Sequence, residues 1–284
     1  ATEGDGIHIY DYKTNSFHRL YPDYTKPHGL NSHSIHALCY DDASGMLWLG
    51  TYNGGVNFTS RWQKPFMSLS SGPGRLNNNH VTSIAETEEG RLWIGTDGGG
   101  LTLCDERLRD FSYITAQNQQ SEGLINNAVL TILCDKNNRI WVGTFDGGLN
   151  LFSAEGQWMK SFLPDAQIQG SLRDGSISAL YEDRQGRLWV GTMNAGLHLY
   201  EEPHDGFKNY QHRPGDEHSL LDNFIYGIYE TKEAQLFVLT GRGVAQFDPK
   251  TERFEQYEAL RYVNIGVPTV ILEDGRQNLW IGSQ

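Results

Sequence analysis

Basic residues, cysteine and proline are all scarce in this chain, and so are long apolar runs. Its 284 residues carry 23 Lys+Arg against 35 Asp+Glu, a formal net charge of -12. A chain this acidic repels phosphate, so nucleic acid and anionic membrane surfaces are poor partners. Three cysteines, Cys39, Cys104 and Cys134, are too few and of the wrong parity for a disulfide framework. Each reads as a small buried apolar residue on a strand. No apolar run approaches the ~20 residues that a membrane span needs. Nor does any stretch sustain a 3.6-residue apolar period, so no helix of consequence is predicted. A signal-peptide pattern is also missing, which puts any targeting segment outside these residues.

Glycine is plentiful: 32 of 284 residues, against a usual share of ~7%. Much of it belongs to an internal repeat. Leu47-Trp48-Leu49-Gly50-Thr51 recurs as Leu92-Trp93-Ile94-Gly95-Thr96, Ile140-Trp141-Val142-Gly143-Thr144 and Leu188-Trp189-Val190-Gly191-Thr192. It degenerates to Leu236-Phe237-Val238-Leu239-Thr240 and returns as Leu279-Trp280-Ile281-Gly282-Ser283. The aromatic positions are 45, 48, 48, 48 and 43 residues apart, a period that belongs to repeat architectures.

Each period reads as four short strands. The first alternates apolar residues, as in Val81-Thr82-Ser83-Ile84-Ala85, and the Trp motif is the second. Asn53-Gly54-Gly55 or Asp146-Gly147-Gly148 follows, supplying the positive φ that two-residue hairpins demand. A third strand such as Leu197-His198-Leu199-Tyr200, and a fourth around Phe111, Phe162, Phe207 and Phe254, complete the unit. The fold class is therefore all-β, a β-propeller of four-stranded antiparallel blades. A horseshoe solenoid would have shorter repeats, of roughly 20–29 residues. One four-stranded blade cannot cover both its faces, so neighbours should bury the Trp positions between them, with the motif glycine allowing close approach. Six periods fit either six blades, the last sewn from both termini, or part of a larger seven-bladed ring. Residues 1–284 are expected to form a single propeller domain within a longer ectodomain.

The pattern D-x-x-G-x-L-W-[IV]-G-T-x-x-G-G-L resembles the two-component regulator propeller repeat. That resemblance implies a periplasmic sensor region of a hybrid two-component system, with a membrane span and a histidine kinase elsewhere in the protein. Its implied partners are an oligosaccharide, an adjacent propeller or immunoglobulin-like domain of the same chain, and a second copy in a homodimer.

No catalytic constellation, metal site or cofactor site emerges from the residues themselves. Ten histidines are scattered without zinc-ligand spacing and read as surface or turn residues. The pairs Asp41-Asp42, Glu88-Glu89 and Glu201-Glu202 read as solvated charge. Calcium-loop spacing and G-x-S-x-G are absent. Binding is the better reading. Propeller ligands dock on the face that gathers the strand-two-to-three loops and the inter-blade loops. The first set offers Glu3, Tyr52, Asn53, Asp97, Phe145, Asp146, Met193, Asn194 and Arg242. The second offers Asn31, His33, Asn79, His80, Asn127, Asp174 and Asn223. Aromatic rings among amide and carboxylate acceptors suit a sugar. Asn and Asp also serve turns, so Tyr52, Phe145, Met193 and Arg242 carry the most information. A lyase- or lactonase-type propeller enzyme and a passive structural scaffold are the alternatives.

Overall fold

The computed structural model describes residues 4–11, 14–22, 29–41, 45–60, 63–116, 123–257 and 266–283. Among them the only helical element is a short 3-10 turn at Glu202–His204; every other element is a strand. Two compact units separate: Ala1–Val142 with Phe152–Met159, and Gly143–Leu151 with Lys160–Gln284.

The chain opens on a hairpin, β1 (Ile7–Asp11) and β2 (Ser16–Leu20). Four-stranded sheets follow, each in simple sequence order. The first holds β3 (Ile35–Asp41), β4 (Met46–Thr51), β5 (Val56–Ser60) and β6 (Gln63–Leu69). The second holds β7 (Val81–Glu86), β8 (Leu92–Thr96), β9 (Gly100–Cys104) and β10 (Ser112–Ile114). Next come β11 (Val129–Cys134), β12 (Arg139–Thr144), β13 (Leu149–Ser153) and β14 (Trp158–Phe162). Then β15 (Ile177–Glu182), β16 (Leu188–Thr192), β17 (Leu197–Glu201) and β18 (Gly206–Tyr210). The last complete sheet is β19 (Ile225–Glu230), β20 (Leu236–Thr240), β21 (Gly243–Asp248) and β22 (Arg253–Gln256). A hairpin of β23 (Pro268–Glu273) and β24 (Leu279–Ser283) ends the chain. These sheets are propeller blades.

The Trp motif is the second strand every time, and its register repeats. Trp48 sits opposite Cys39 and Phe58, Trp93 opposite Ala85 and Leu103, and Trp189 opposite Tyr181 and Leu199. The first strand bulges at the same place in each blade whose register is resolved, between Ile35 and Ala37, Val81 and Ser83, Ile177 and Ala179, and Ile225 and Gly227. Such a bulge strengthens local twist where strands crowd together.

Packing follows from the repeat. In the first unit Trp48 is buried with Val81, Leu92 and Ile94 of the following blade, and Trp93 with Val129, Ile132 and Val142. In the second, Trp189 is buried with Ile225, Leu236 and Val238. Truncating one of these indoles to alanine costs about 3–5 kcal/mol by the usual large-to-small scale. The motif glycine has the predicted role. A Cβ on Gly50 would stand 2.6 Å from a Val81 methyl, and one on Gly191 would stand 2.6 Å from an Ile225 methyl. The next blade's first strand occupies the space that any side chain would need.

In three repeats a carboxylate ties the hairpin tip to its tryptophan. Asp135 Oδ2 accepts from Arg139 Nε at 2.7 Å and Trp141 Nε1 at 2.8 Å. Asp183 does the same for Arg187 at 2.6 Å and Trp189 at 2.8 Å. Asp274 serves Asn278 at 2.9 Å and Trp280 at 3.0 Å, and these bonds hold its carboxyl far below the usual range. The degenerate repeat has Thr231 and Phe237 at these positions, and a phenyl ring needs no acceptor. The second blade breaks the rule: Thr87 stands where Asp is expected, and the buried Trp93 Nε1 has no partner.

Two expectations need correction. Only the β20–β21 loop, Gly241-Arg242, is a two-residue hairpin among the strand-two-to-three loops of the complete sheets: four residues separate β4 from β5 and three separate β8 from β9. The longer loop closes on the motif threonine, since Thr51 donates its amide and its hydroxyl to the Gly55 carbonyl at 3.0 and 2.8 Å. The histidines are not all on the surface either. His198, on β17, is fully buried.

Candidate functional site

Loops that lead into the first strands β7, β11, β15 and β19 are fixed by short side-chain bonds. Asn78 Oδ1 accepts from the His80 amide at 2.9 Å, Asn126 from Ala128 at 2.9 Å, Asp174 from Ser176 at 3.1 Å and Asp222 from Phe224 at 2.9 Å. The next residue anchors the loop to the strand before it. Asn79 accepts from Ser71 at 2.6 Å, Asn127 from Ala116 at 2.6 Å and Asn223 from His212 at 2.8 Å. These acceptors are spent on turn structure, the local competition for which Asn and Asp are chosen. Asn31 is committed too, exchanging bonds with Asn57 at 2.6 and 3.1 Å and donating to the Gly54 carbonyl at 2.8 Å.

A buried polar residue on the third strand reaches the same loops from below. Asn57 accepts from the Asn31 amide, Thr102 from the Asn77 amide at 3.3 Å and His198 Nε2 from the Arg173 amide at 3.3 Å. His198 also meets Asn209 Nδ2 at 3.0 Å. Burial pushes its imidazole down to about 4, so it is neutral and able to accept at physiological pH.

In the first unit three of the predicted residues come together. Tyr52 follows β4, and its amide donates to the Ser34 carbonyl at 3.1 Å. Its ring meets His80 edge to face at 4.2 Å between centroids. His80 Nδ1 stands 3.4 Å from Asp97 Oδ2, and the Asp97 amide donates to the His80 carbonyl at 2.9 Å. His36, on β3, joins them, 5.4 Å from the Tyr52 ring and 5.5 Å from His80. Tyr52 keeps 45% of its surface open; Asn53 beside it and His33, three residues before His36, are exposed. His36 was missed because the repeat gave no reason to single out an outward position of a first strand.

In the second unit the predicted residues are more often engaged. Phe145 is half exposed, at 50%. Asp146 adopts a left-handed conformation, φ 53°, with its amide donating to Ser176 Oγ at 3.1 Å. The Met193 amide donates to the Ser176 carbonyl at 3.0 Å. Asn194 gives both its amide and its Nδ2 to Asp174 Oδ2, at 2.7 and 3.1 Å. Arg242 Nε lies 3.3 Å from Asp222 Oδ2 while most of its side chain stays in solvent. Glu3 lies outside the described residues, as do His28 and Asp42.

Other chemistry is quiet. All three cysteines are thiols on strands, Cys104 buried and the other two half-buried. Burial, with neighbouring carboxylates adding to it, pushes the Cys39 thiol up to about 11 and Cys104 up to about 12, which disfavours thiolate chemistry. Among the described residues no group of three or more His, Cys, Asp or Glu is placed to hold a metal ion. A cavity of about 510 Å³ in the second unit is lined by Tyr257, Glu273, Leu279 and Ile281 among others. It borders the Thr231–Gln235 hairpin tip, at the end of the strands away from the candidate loops.

Three segments, residues 75–98, 123–146 and 171–194, match the two-component regulator propeller family. Each runs from an inter-blade loop through the first strand and the Trp motif to the loop beyond. The chain carries two-component regulator propeller repeats. No curated protein sequence matches it. Solved structures share the propeller fold. One is the extracellular domain of a protein assigned as a hybrid two-component system from B. thetaiotaomicron, at 20% identity and TM-score 0.80, covering 99% of this chain and 36% of that one. A second such domain from the same organism gives 19% identity and TM-score 0.56, covering 99% and 44%. Virginiamycin B lyase from Staphylococcus aureus gives 13% identity and TM-score 0.65, covering 88% and 78%. The chain thus spans less than half the length of the two extracellular domains. No helix among the described residues is long and apolar enough to cross a membrane.

Proposed function

We propose that these propeller repeats form a non-catalytic, periplasmic sensor segment of a hybrid two-component system. In this reading the loop face recognises an oligosaccharide or a neighbouring propeller, and the bound state biases a histidine kinase carried elsewhere in the protein. The family of the repeat supports the class. The observation that carries the recognition step is the exposure of Tyr52 and Phe145 in loops where turn geometry asks for neither. A stiff blade scaffold with variable loops is a common way to encode specificity. Ligand binding can shift a two-state equilibrium only through its differential affinity for the two states; in this reading the two states differ in the packing between propellers or between protomers. Tyr52, Asn53, His33, His80 and Asp97 are the first unit's candidate contacts, and Phe145, Asp146, Met193, Asn194 and Arg242 the second's.

Calorimetric titration of the complete ectodomain with a panel of plant, microbial and host oligosaccharides tests the reading. Saturable heat with at least one sugar is expected, weakened by Tyr52→Ala or Phe145→Ala; silence across the panel refutes direct sugar sensing. A lyase-type enzyme is the second reading, favoured by the 3.4 Å approach of His80 to Asp97 and by the lyase's shared fold. Turnover of a substrate that disappears in His80→Ala would establish it.

A further inference from the structure

The first unit's loop face has a charge character of its own. The parts of its loops that adjoin the first and second strands, residues 31–34, 52–55, 77–80, 97–99 and 126–128, contain Tyr52, His33, His80, Asp97 and seven asparagines but no lysine or arginine, the exposed Arg75 lying two residues before Asn77. The one formal charge in these segments is the Asp97 carboxylate, beside the ring cluster and half exposed. The second unit differs, with Arg173 and Arg242 in the corresponding loops. The whole chain carries a net charge of -12, which reinforces the sign of the first unit's face.

Resting on the sugar-binding reading above, we infer that the Tyr52–His36–His80–Asp97 cluster is a subsite for an uncharged sugar ring and discriminates against uronate or sulfate groups. The geometry supplies both halves of the recognition. Tyr52 and two imidazoles, with centroids 4.2–5.5 Å apart, offer a compact aromatic surface for the C–H face of a pyranose. The Tyr52 hydroxyl, His80 and the Asp97 carboxylate offer donors and acceptors to its hydroxyls. A carboxylate accepts only, so it suits sugar hydroxyls and repels anions. Recognition of carboxylate or sulfate groups usually calls on the arginine fork, and the segments that hold the cluster have none.

His36 enters this cluster as a binding residue that its position on β3 did not announce. His80 is held by its own backbone amide on Asn78 and its carbonyl from the Asp97 amide. The subsite is therefore built before any ligand arrives, which lowers the ordering cost of binding.

The test titrates the full chain with two matched sets of oligosaccharides at low ionic strength. One set is neutral (malto-, xylo-, laminari- and manno-hexaose); the other is anionic (oligogalacturonate and a heparin-derived octasaccharide). The wild type, Tyr52→Ala, Tyr52→Phe and His36→Ala are compared, with circular dichroism confirming that each variant folds. The inference expects at least one neutral ligand to bind at least tenfold more tightly than any anionic one. Tyr52→Ala and His36→Ala should each weaken it about tenfold, while Tyr52→Phe stays within about threefold. Preference for an anionic ligand overturns the inference and leaves the sugar reading standing. Neutral-sugar binding that ignores Tyr52 and His36 overturns the assigned subsite while also leaving that reading intact. Failure of both sets on the wild type removes the sugar reading and this inference with it.

Discussion

Replacing Thr87 by aspartate should stabilise the protein. Trp93 is fully buried, and its indole N–H has no partner. A buried donor left unsatisfied costs about 1–3 kcal/mol. The sister blades show the remedy. Asp135 and Asp183 occupy the same position six residues before the motif tryptophan and accept its N–H at 2.8 Å. Their other oxygen accepts backbone amides of the tip, from Asn137 at 3.0 Å and Arg139 at 2.9 Å in one case. Thr87 already makes part of this second set, since its hydroxyl accepts from the Arg91 amide at 3.2 Å. The gain is thus chiefly the charge-assisted bond to Trp93, less the cost of desolvating a carboxylate, which Arg91 can offset as Arg139 and Arg187 do. A net stabilisation of about 1–2 kcal/mol follows, or roughly 2–5 °C in Tm for a chain of this size. Thermal unfolding followed by circular dichroism measures it. The same change in a Trp93→Phe background isolates the bond. A Thr87→Asp protein no more stable than the parent, or a gain that persists undiminished without the indole N–H, refutes the reasoning.

Three further outcomes follow from the same geometry. Asp183→Ala strips the acceptor from Trp189 and the partner from half-exposed Arg187, and should cost about 2–4 kcal/mol in denaturant titration; Asp183→Asn should recover part of that loss. Gly191→Ala drives a Cβ to 2.6 Å from Ile225 and should cost about 1–3 kcal/mol, whereas Gly215→Ala, in open space but at φ 84°, tests backbone strain alone. His198 has its pKa lowered from 6.5 to about 4 by burial, so the unfolded chain binds this proton more readily than the folded one. The stability it contributes is complete above pH 6.5 and is lost as pH falls toward 4, to a total of about 3 kcal/mol. His198→Asn, which installs the residue found at Asn57 and Asn150, should flatten stability between pH 6.5 and 4; a slope unchanged from the parent would count against the buried-histidine account.

Periodicity made much of this fold legible in the sequence. The Trp motif announced second strands at one register, and the motif glycine was correctly read as a point of close approach between blades. Turn chemistry before first strands was legible only in part: Asp174 closes an Asx turn on the Ser176 amide, whereas Asn79 and Asn127 reach back to the amides of Ser71 and Ala116, and the Asx turns of those two loops fall to Asn78 and Asn126. Contacts across blades were harder to see. His36 and His80 are 44 residues apart and meet only because β3 and β7 lie side by side. His198 looked like one more scattered histidine, yet its alignment with Asn57 and Asn150 on third strands marks a buried acceptor position. The acidic tip residue was visible in the repeat pattern, but its bond to the indole N–H was not, and so Thr87 passed as an ordinary turn residue. Loop length between second and third strands was misjudged because Gly-Gly pairs fit several hairpin types, and the threonine hydroxyl that closes the longer one is a side-chain effect.

Hydrogen–deuterium exchange on the complete ectodomain, with and without a sugar that binds it, tests the central claim most directly: rigid blades hold variable loops that do the recognising. New protection is expected in residues 52–55, 77–80 and 97–99, or in 145–148 and 193–196, with the strand cores unchanged. Protection confined to the opposite hairpin tips, around 88–90, 136–138 and 184–186, would contradict it.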